Sequence, residues 1–438
     1  MMEQMIDINT EYTSSEEIRE IQNRQLRSLI ERTWNQVPFY RRLWKKSGVG
    51  IKSIQGLEDL EKLPLINKKD ILDSIEEYPP FGDFQGKFES IRVQASTGST
   101  GKPKPIFQTR LDWENIATLW ARRLRAQGVK PKDIVQIAFA YSLFIVGFTS
   151  TEGAMKLGAT VVPTGSGAVT ASERQLEIAR DWRVNVLGCT GSYALRLAEV
   201  AEKMGLNTRR DFQIRIMFHA AEPLTQSMRE EIEARWNCKS FDNYGSVEIG
   251  APTFECLHQQ GMHVNEDAYI FEIIDPKTLN PVPLGDEGEL VVTTLVKEAA
   301  PFIRYRIRDV TSFIPAPCLC GRNLKRIKSI KGRTDEMIKI KGVSAYPTDF
   351  EVAVKNFNIF SPEYLIVVDR ADYVDKVRLM VEYLGPSDRS KEYREYLKKE
   401  VRKIVGINVE VELCGHGVLK EKLKTESRIK YKRLLDLR

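Results

Sequence analysis

The sequence lacks long apolar runs. None of its 438 residues belongs to a run approaching the roughly 18 to 20 apolar residues that a membrane-spanning helix needs. Its first residues, MMEQMIDINTEYTSSEE, have neither the basic start nor the apolar core of a secretory signal peptide. We therefore expect a cytoplasmic protein that does not have a membrane as its partner.

The chain also has little net charge and few cysteines. Its formal net charge is +6, and the 66 Lys and Arg residues are spread along the chain instead of forming one block. This distribution argues against nucleic acid as a partner. Of the six cysteines, Cys189, Cys238 and Cys414 stand alone, which is typical of buried thiols in a reducing compartment.

A common nucleotide-binding pattern is absent from the segment ASTGSTGKPK, Ala95 to Lys104. The P-loop places four residues between its glycines and a Ser or Thr after its Lys. Here Gly98 and Gly101 are two residues apart, and Pro103 follows Lys102. The spacing excludes the P-loop, yet the glycines and small hydroxyl residues remain suited to holding phosphate through backbone N–H groups.

The order of sequence patterns predicts the fold. Short β-rich runs (DIVQIAFAY, ATVVPTG, VNVLGCTG and IRIMFHAAEP) alternate with helical patterns, which predicts a mostly parallel sheet. Residues 264–296 indicate antiparallel strands, and the chain after about Asp335 indicates a compact α+β unit. We predict an α/β fold with a large N-terminal domain, 1–334, of mostly parallel sheets plus an antiparallel β subdomain, and a small α+β C-terminal domain, 335–438.

The segment from Ser14 to about Lys46 has the apolar spacing of an amphipathic helix. Ser14 and Glu17 are placed as a capping box, in which each residue bonds the backbone N–H of the other. Pro38 is expected to break the helix, since proline has no N–H to donate.

Several separated motifs occur together and in a fixed order. They are STGSTGKPK, AEPLT, DNYGSVEIG, GMHVNED, RYRIRD, PCLCGR and GRTDEMIKIKGVSAYPTDFE. From about Pro38 to Arg438 the chain thereby resembles the phenylacetate-CoA ligase family of the acyl-adenylate-forming superfamily. The resemblance implies an ATP-dependent ligase that activates an aryl or arylacetic acid through an acyl-AMP and passes the acyl group to coenzyme A. It also implies Mg²⁺ as a cofactor and a homodimer, with the N-terminal helix as a candidate interface.

This chemistry explains the residue types. A carboxylate would have to expel oxide, whereas an acyl-adenylate expels AMP, so the acid is first joined to the α-phosphate of ATP. Both steps bring anions together, and the site therefore needs N–H donors, cations and a metal. Two alternatives stay open: an enzyme that passes the acyl group to an amine, hydroxyl or carrier-protein acceptor, and a non-catalytic nucleotide-binding relative.

The resemblance assigns most of the nucleotide site. Glu248 matches a magnesium-binding carboxylate, Tyr244 an aromatic residue that stacks on adenine, and Asp309 an acceptor for both ribose hydroxyls; Asn243 could read the adenine edge. Ile307 and Arg308 precede Asp309 where the family commonly has Thr-Gly, which puts the local turn in question. The full ATP-binding set comprises Ser96, Thr97, Gly98, Ser99, Thr100, Gly101, Lys102, Ala221, Glu222, Pro223, Asp242, Asn243, Tyr244, Gly245, Ser246, Asp309 and Arg333.

Three further positions match residues with roles in the two half-reactions. Arg333 matches a phosphate-contacting arginine, and Asp335 matches the hinge about which the C-terminal lid rotates between the two half-reactions. Lys430 matches the catalytic lysine of adenylation.

Two further residues near the C-terminus, Lys424 and Arg428, are rivals for that role. The loop around Lys341 and Gly342 is the part expected to enter the site after the rotation of the lid.

The acid is expected beside the segments AYSLFIVGF, GCTGS and HAAEP. Its pocket candidates are Tyr141, Phe144, Ser192, Tyr193, His219 and Gly245. His219 replaces a residue that is commonly small, and we hold two interpretations equally: a core histidine with satisfied hydrogen bonds, or a donor to a substituent of the acid's ring.

Four further residues have the pattern of a zinc site. Cys256 and His263 form a C-x6-H pair, and Cys318 and Cys320 form a C-x-C pair. Four such ligands without an open position suit structural, tetrahedral zinc, with His258 as a rival ligand. A disulfide is less expected in the cytosol.

Overall fold

The computed structural model describes residues 6–96, 103–340, 343–357, 359–371, 374–419 and 433–437. Its internal contacts divide the chain into two compact units, one of residues 1–307 and 311–330 and the other of residues 308–310 and 331–438. The sequence predicts a domain boundary between residues 334 and 335. Among the described residues, no helix combines the length and apolarity that crossing a membrane requires.

The helices of the first unit begin with the predicted N-terminal helix. The Glu17 N–H donates to the Ser14 hydroxyl at 3.2 Å, and the Ser14 N–H donates to the Glu17 carboxylate at 3.2 Å, so the capping box is confirmed. The predicted break is also confirmed, because a second helix starts at Pro38. The described α-helices are α1 Ser15–Gln36, α2 Pro38–Lys46, α3 Lys68–Glu77, α4 Arg110–Ala126, α5 Val146–Leu157, α6 Ser172–Asp181, α7 Gly191–Lys203 and α8 Gln226–Trp236.

A five-stranded parallel sheet forms the centre of this unit, as the alternating strand and helix patterns predict. Its strands are β3 Ile134–Ile137, β4 Thr160–Val162, β5 Val186–Gly188, β6 Ile216–Phe218 and β7 Lys239–Phe241, in the order β4-β3-β5-β6-β7. Both faces are apolar and buried: Val186 and Phe218 belong to one core cluster, Leu187 and Met217 to another. In such a sheet, ligands bind at the carboxyl ends of the strands.

Antiparallel strands make up the rest of the first unit. A hairpin pairs β1 Arg92–Ser96 with β2 Lys104–Gln108, and Ser96 lies opposite Lys104. The predicted antiparallel region is confirmed by β10 Tyr269–Ile274 and β11 Gly288–Thr294, which pair with Tyr269 opposite Thr294. The neighbouring strands are β8 Thr253–Glu255, β9 Met262–Val264, β12 Tyr305–Thr311, β13 Phe313–Ile314 and β14 Arg326–Ile327.

The second unit is the α+β structure expected at the C-terminus. Its described elements are β15 Gly332–Arg333, β16 Ile338–Ile340, β17 Val343–Ala345, α9 Pro347–Lys355, β18 Phe360–Ala371, β19 Val374–Tyr383, α10 Ser390–Val405, β20 Glu410–Cys414 and β21 Leu434–Asp436. Its core packs α9 and α10 on a four-stranded sheet of order β20-β19-β18-β21 around buried Phe350, Tyr364 and Leu397. The central residues of β12, Asp309 and Val310, also belong to this unit and pair with β15.

Candidate active site

The carboxyl ends of β5 and β6 meet through Glu222 and Ser192. The Ser192 backbone N–H donates to one Glu222 carboxylate oxygen at 2.6 Å, and its hydroxyl donates to the other at 3.1 Å. Ser192 lies at the start of α7, where a carboxylate is favoured by the unpaired N–H groups of the helix. A residue predicted to contact ATP thus lies beside one predicted to contact the acid.

His219 points into the core at the end of β6. Its Nδ1 lies 3.0 Å from the Cys189 carbonyl oxygen and its Nε2 lies 2.7 Å from the Ser240 hydroxyl. Because a carbonyl can only accept, Nδ1 carries the proton and Nε2 accepts from Ser240. Burial lowers the pKa of His219 to about 4, so the ring is neutral at pH 7. Both ring nitrogens are used, which favours the core histidine over a donor to the acid.

Asn243 also faces inward, which differs from its expected position at the adenine edge. Its side-chain amide donates to the His219 carbonyl oxygen at 3.0 Å, and its Oδ1 accepts from the Gln127 amide at 2.7 Å. Asn243 is 4% exposed. Packing against Gln127, far away along the chain, therefore occupies the groups that were assigned to adenine.

The neighbouring Asp242 is a buried carboxyl group with a pKa in the physiological range. Burial and the nearby Glu255 carboxylate raise the pKa of Asp242 to about 7. Glu255 itself accepts from the Asp242 backbone N–H at 2.7 Å and pairs with Arg229 at 2.8 Å. Perturbed groups of this kind cluster at functional sites.

Gly245 follows in the same turn, and its identity has a steric reason. A Cβ placed there would lie 2.2 Å from the Gly250 carbonyl oxygen. Only glycine allows the chain to turn this tightly between β7 and the residues that follow Glu248.

Glu248, the predicted magnesium ligand, is buried between two lysines. The Lys104 ammonium pairs with its carboxylate at 2.5 Å, and the Lys297 ammonium donates to its backbone carbonyl oxygen at 2.9 Å. Burial alone would raise the pKa of Glu248, but the charge and hydrogen bond of Lys104, together with hydrogen bonds from the Glu248 backbone and Ser246, lower the pKa to about 2. Burial lowers the pKa of Lys297 to about 8. The carboxylate is therefore ionised at pH 7, the form in which it binds a hard cation.

In the second unit, Arg333 joins the two aspartates to which the sequence assigned roles. Its guanidinium bonds Asp309 at 3.0 Å and Asp335 at 2.9 and 3.1 Å. Burial would lower the pKa of Arg333, but the two carboxylates outweigh it and raise the pKa. The predicted ribose acceptor, phosphate arginine and hinge residue therefore form one cluster of charges.

Two residues other than glycine have left-handed backbone conformations near the predicted nucleotide contacts. They are Ala221, with φ 75°, and Arg308, with φ 75°. Such conformations are strained for residues with a Cβ and are found at functional sites. Arg308 stands where the family commonly has glycine, so the turn keeps its left-handed backbone although the glycine is missing.

Of the aromatic pocket candidates, Tyr141 and Phe144 lie in the segment between β3 and α5, and Tyr193 lies in α7. The Tyr141 hydroxyl lies 2.6 Å from the Thr151 hydroxyl, and the Tyr141 ring meets Phe148 edge to face at 5.2 Å. The Tyr193 hydroxyl lies 3.1 Å from that of Ser172. Both tyrosine hydroxyls thus have a protein partner.

Cys256, His263, Cys318 and Cys320 lie together, and all four ligand atoms are within 4.8 Å of one another. The Cys256 and Cys318 sulfurs are 3.7 Å apart, and the Cys320 sulfur lies 3.4 Å from His263 Nε2. A tetrahedral zinc ion with bonds of about 2.3 Å to sulfur and about 2.0 Å to nitrogen requires separations of about 3.8 and 3.5 Å. The donor set and its spacing fit zinc, whereas a disulfide needs about 2.05 Å between sulfurs.

Some predicted residues lie outside the described part of the chain. They are Thr97, Gly98, Ser99, Thr100, Gly101, Lys102, Lys341, Gly342, Lys424, Arg428 and Lys430. Sequence reasoning in turn missed Lys297, because burial of a lysine inside VKEAAP leaves no local signal. The sequence also gives no role to Lys104 in GKPK, since its partner Glu248 is 144 residues away.

Comparison with known proteins identifies the family. Models of the AMP-binding enzyme and of the AMP-binding enzyme C-terminal domain match residues 91–295 and 342–438. The chain is 37% identical to phenylacetate-coenzyme A ligase of Thermus thermophilus, with 97% of each chain covered, and 35% identical to that of Escherichia coli, with 93% of each covered. The chain belongs to the phenylacetate-coenzyme A ligase family. It is an AMP-forming acid–coenzyme A ligase that acts through an acyl-AMP, as the motifs predict.

Solved structures agree with this membership of the phenylacetate-coenzyme A ligase family. A 2-hydroxyisobutyryl-CoA ligase in its postadenylation state, in complex with R3-HIB-AMP, is 27% identical with a TM-score of 0.90, and 100% of this chain and 96% of that one are covered. A benzoate CoA ligase from Burkholderia xenovorans LB400, 18% identical with a TM-score of 0.57, covers 75% of this chain and 66% of its own. At that identity the likeness shows a shared fold.

Proposed function

We propose that the acid activated by this ligase is an aryl or arylacetic acid such as phenylacetate. The observation that carries the proposal is the edge-to-face pair of Tyr141 and Phe148 beside the predicted pocket, in a chain whose curated relatives of 35–37% identity are phenylacetate-coenzyme A ligases. Aromatic rings prefer such neighbours over aliphatic ones of equal area. In the first step the acid displaces pyrophosphate from ATP; in the second the thiol of coenzyme A displaces AMP.

The nucleotide is proposed to lie among the residues named above. Residues 96–102 would hold the β- and γ-phosphates, and Asp309 would accept the ribose hydroxyls. Glu248 would hold Mg²⁺, whose contribution when bound is to neutralise phosphate charge. The ionised, buried state of Glu248 supports this role, and Lys104 beside it supplies a second cation for the same charges.

The catalytic lysine is proposed to be Lys430, and Asp335 the hinge of a mobile C-terminal lid. A lysine on a flexible stem suits an attack that brings two anions together. Lys430→Ala is expected to slow adenylation sharply while sparing thioester formation from supplied acyl-AMP. Unchanged adenylation would point to Lys424 or Arg428.

We further propose that the cysteine and histidine cluster holds structural zinc. The metal would join the chain around Cys256 and His263 to the loop of Cys318 and Cys320. Its expected role is stability, since four protein ligands leave no position for a substrate.

A homodimer is also proposed, on the resemblance to the family. Light scattering after size exclusion should give twice the 50.2 kDa mass of the chain. A mass of one chain at micromolar concentration would contradict it.

The substrate proposal is tested with a panel of carboxylic acids assayed for pyrophosphate release with and without coenzyme A. Phenylacetate and benzoates should support turnover that depends on coenzyme A. Turnover with 2-hydroxyisobutyrate or fatty acids but not with aromatic acids would overturn the substrate class. Pyrophosphate exchange with no AMP release stimulated by coenzyme A would favour a different acyl acceptor.

A further inference from the structure

Gln94 links the β1–β2 hairpin to the segment that contains the acid-pocket candidates. Its side chain is buried, with the residue 2% exposed. The side-chain amide donates to the Leu143 carbonyl oxygen at 3.2 Å and to the Phe144 carbonyl oxygen at 3.0 Å. The adjacent Ala95 backbone N–H donates to the Leu143 carbonyl oxygen at 2.9 Å. Among the described residues, this one side chain therefore provides two of the three hydrogen bonds between the hairpin and this segment.

The same hairpin also contacts Glu248, the predicted magnesium ligand. Lys104 lies opposite Ser96 in the hairpin and pairs with Glu248 through its ammonium group. A chain of direct contacts thus runs from Phe144 through Gln94 and the hairpin to Lys104 and Glu248. It joins the acid side of the site to the ATP side.

Adenylation requires the acid and ATP to be held at a defined distance and orientation. The acid oxygen and the α-phosphorus must approach to about 3–3.5 Å in the right direction, and an error of about 1 Å can lower the rate 100-fold. Residues 143 and 144 belong to neither β3 nor α5, so the regular hydrogen bonds of those elements do not hold them. We infer that Gln94 is a positioning residue that couples binding of the acid to binding of ATP; this rests on the proposed function.

The hairpin offers a matched control in Gln85. Its side-chain amide donates to the Pro105 carbonyl oxygen at 2.7 Å, and its Oε1 accepts from the Phe107 N–H at 3.1 Å. Gln85→Met removes two hydrogen bonds from β2 without touching residues 143 and 144. It reports what weakening the hairpin alone does.

The test measures phenylacetate affinity by calorimetry with and without α,β-methylene-ATP and Mg²⁺, for the wild type, Gln94→Met and Gln85→Met. We expect the nucleotide to tighten acid binding by 5-fold or more in the wild type, within the usual range of coupling between sites. In Gln94→Met the tightening should fall below about 2-fold while the affinity for the acid alone changes less than about 3-fold. Gln85→Met should keep the wild-type tightening.

Other results overturn the inference. In one such result, Gln94→Met and Gln85→Met both melt at a lower temperature while the nucleotide still tightens acid binding in Gln94→Met as much as in the wild type. That result would show that Gln94 has a purely structural role. If Gln94→Met does not fold, Gln94→Glu is used instead, because glutamate has the shape of glutamine but at most one hydrogen-bond donor. Coupling at the wild-type level in Gln94→Glu would likewise show a purely structural role. A wild-type enzyme that binds both ligands without coupling also overturns the inference. One that binds neither overturns the proposed function and the inference together.

Discussion

Replacing Lys104 with Met should destabilise the protein strongly at neutral pH. Lys104 and Glu248 are 3% and 8% exposed, and their charged atoms are 2.5 Å apart. The pKa of Glu248 is about 2 against an ordinary 4.5, which corresponds to about 3 kcal/mol of stability at pH 7. Removing one partner of a buried pair costs about 3–5 kcal/mol, so the two estimates agree.

The sign of the pH dependence follows from the lowered pKa. A carboxyl group with a depressed pKa in the folded state stabilises fully above its unfolded value, and this stability is lost as the pH falls from 4.5 towards about 2. The difference between wild type and Lys104→Met should therefore fall to about 1.4 kcal/mol at pH 3.

Urea unfolding at pH 7 and pH 3 measures this difference. Lys156→Met is the control, because it breaks an exposed pair with Glu114 and should cost less than about 1 kcal/mol. Adding Glu248→Gln to Lys104→Met should recover part of the loss, since no buried charge then remains unpaired. A cost below about 1 kcal/mol for Lys104→Met, or an equal cost at both pH values, would refute the reasoning.

Three further predictions concern the metal cluster, the strained turn and the core histidine. Purified protein should contain about one zinc ion per chain by mass spectrometry of metals, and Cys320→Ser should lose the zinc and melt at a lower temperature; metal-free, equally stable wild type would contradict this. Arg308→Gly should be more stable than Arg308→Ala by about 1 kcal/mol in urea unfolding, because both lose the side chain and only glycine relieves the φ of 75°. The pKa of His219 is lowered to about 4 from 6.5, so stability should fall as the pH drops through that interval. His219→Gln should remove up to about 3 kcal/mol of this loss, and an unchanged pH profile would show that His219 does not contribute to it.

Local sequence patterns predicted the local structure well. The Ser14 and Glu17 capping box, the break at Pro38 and the alternation of strands and helices depend on neighbours a few residues apart, and all are present. The family motifs in turn predicted the enzyme class, because several of them occur in the family's order and contain the residue types that the chemistry needs.

Contacts between residues far apart in the chain are the part of the site that local patterns do not predict. The sequence leaves Asn243 as a residue that could read the adenine edge, and in the structure Gln127, 116 residues away, donates to its side chain inside the protein. The partner of Lys104 is 144 residues away, so no spacing rule could identify the pair. The backbone of Arg308 is left-handed despite the missing glycine, which propensity alone would not predict.

The most direct test of the central claim follows oxygen from the acid. Phenylacetate labelled with ¹⁸O in its carboxylate is incubated with enzyme, ATP and Mg²⁺, and coenzyme A is added in a second step. Formation of an acyl-AMP predicts equimolar pyrophosphate and phenylacetyl-AMP in the first step, then phenylacetyl-CoA and AMP containing one ¹⁸O in the second. Unlabelled AMP, or ADP and phosphate in place of AMP and pyrophosphate, would contradict the account.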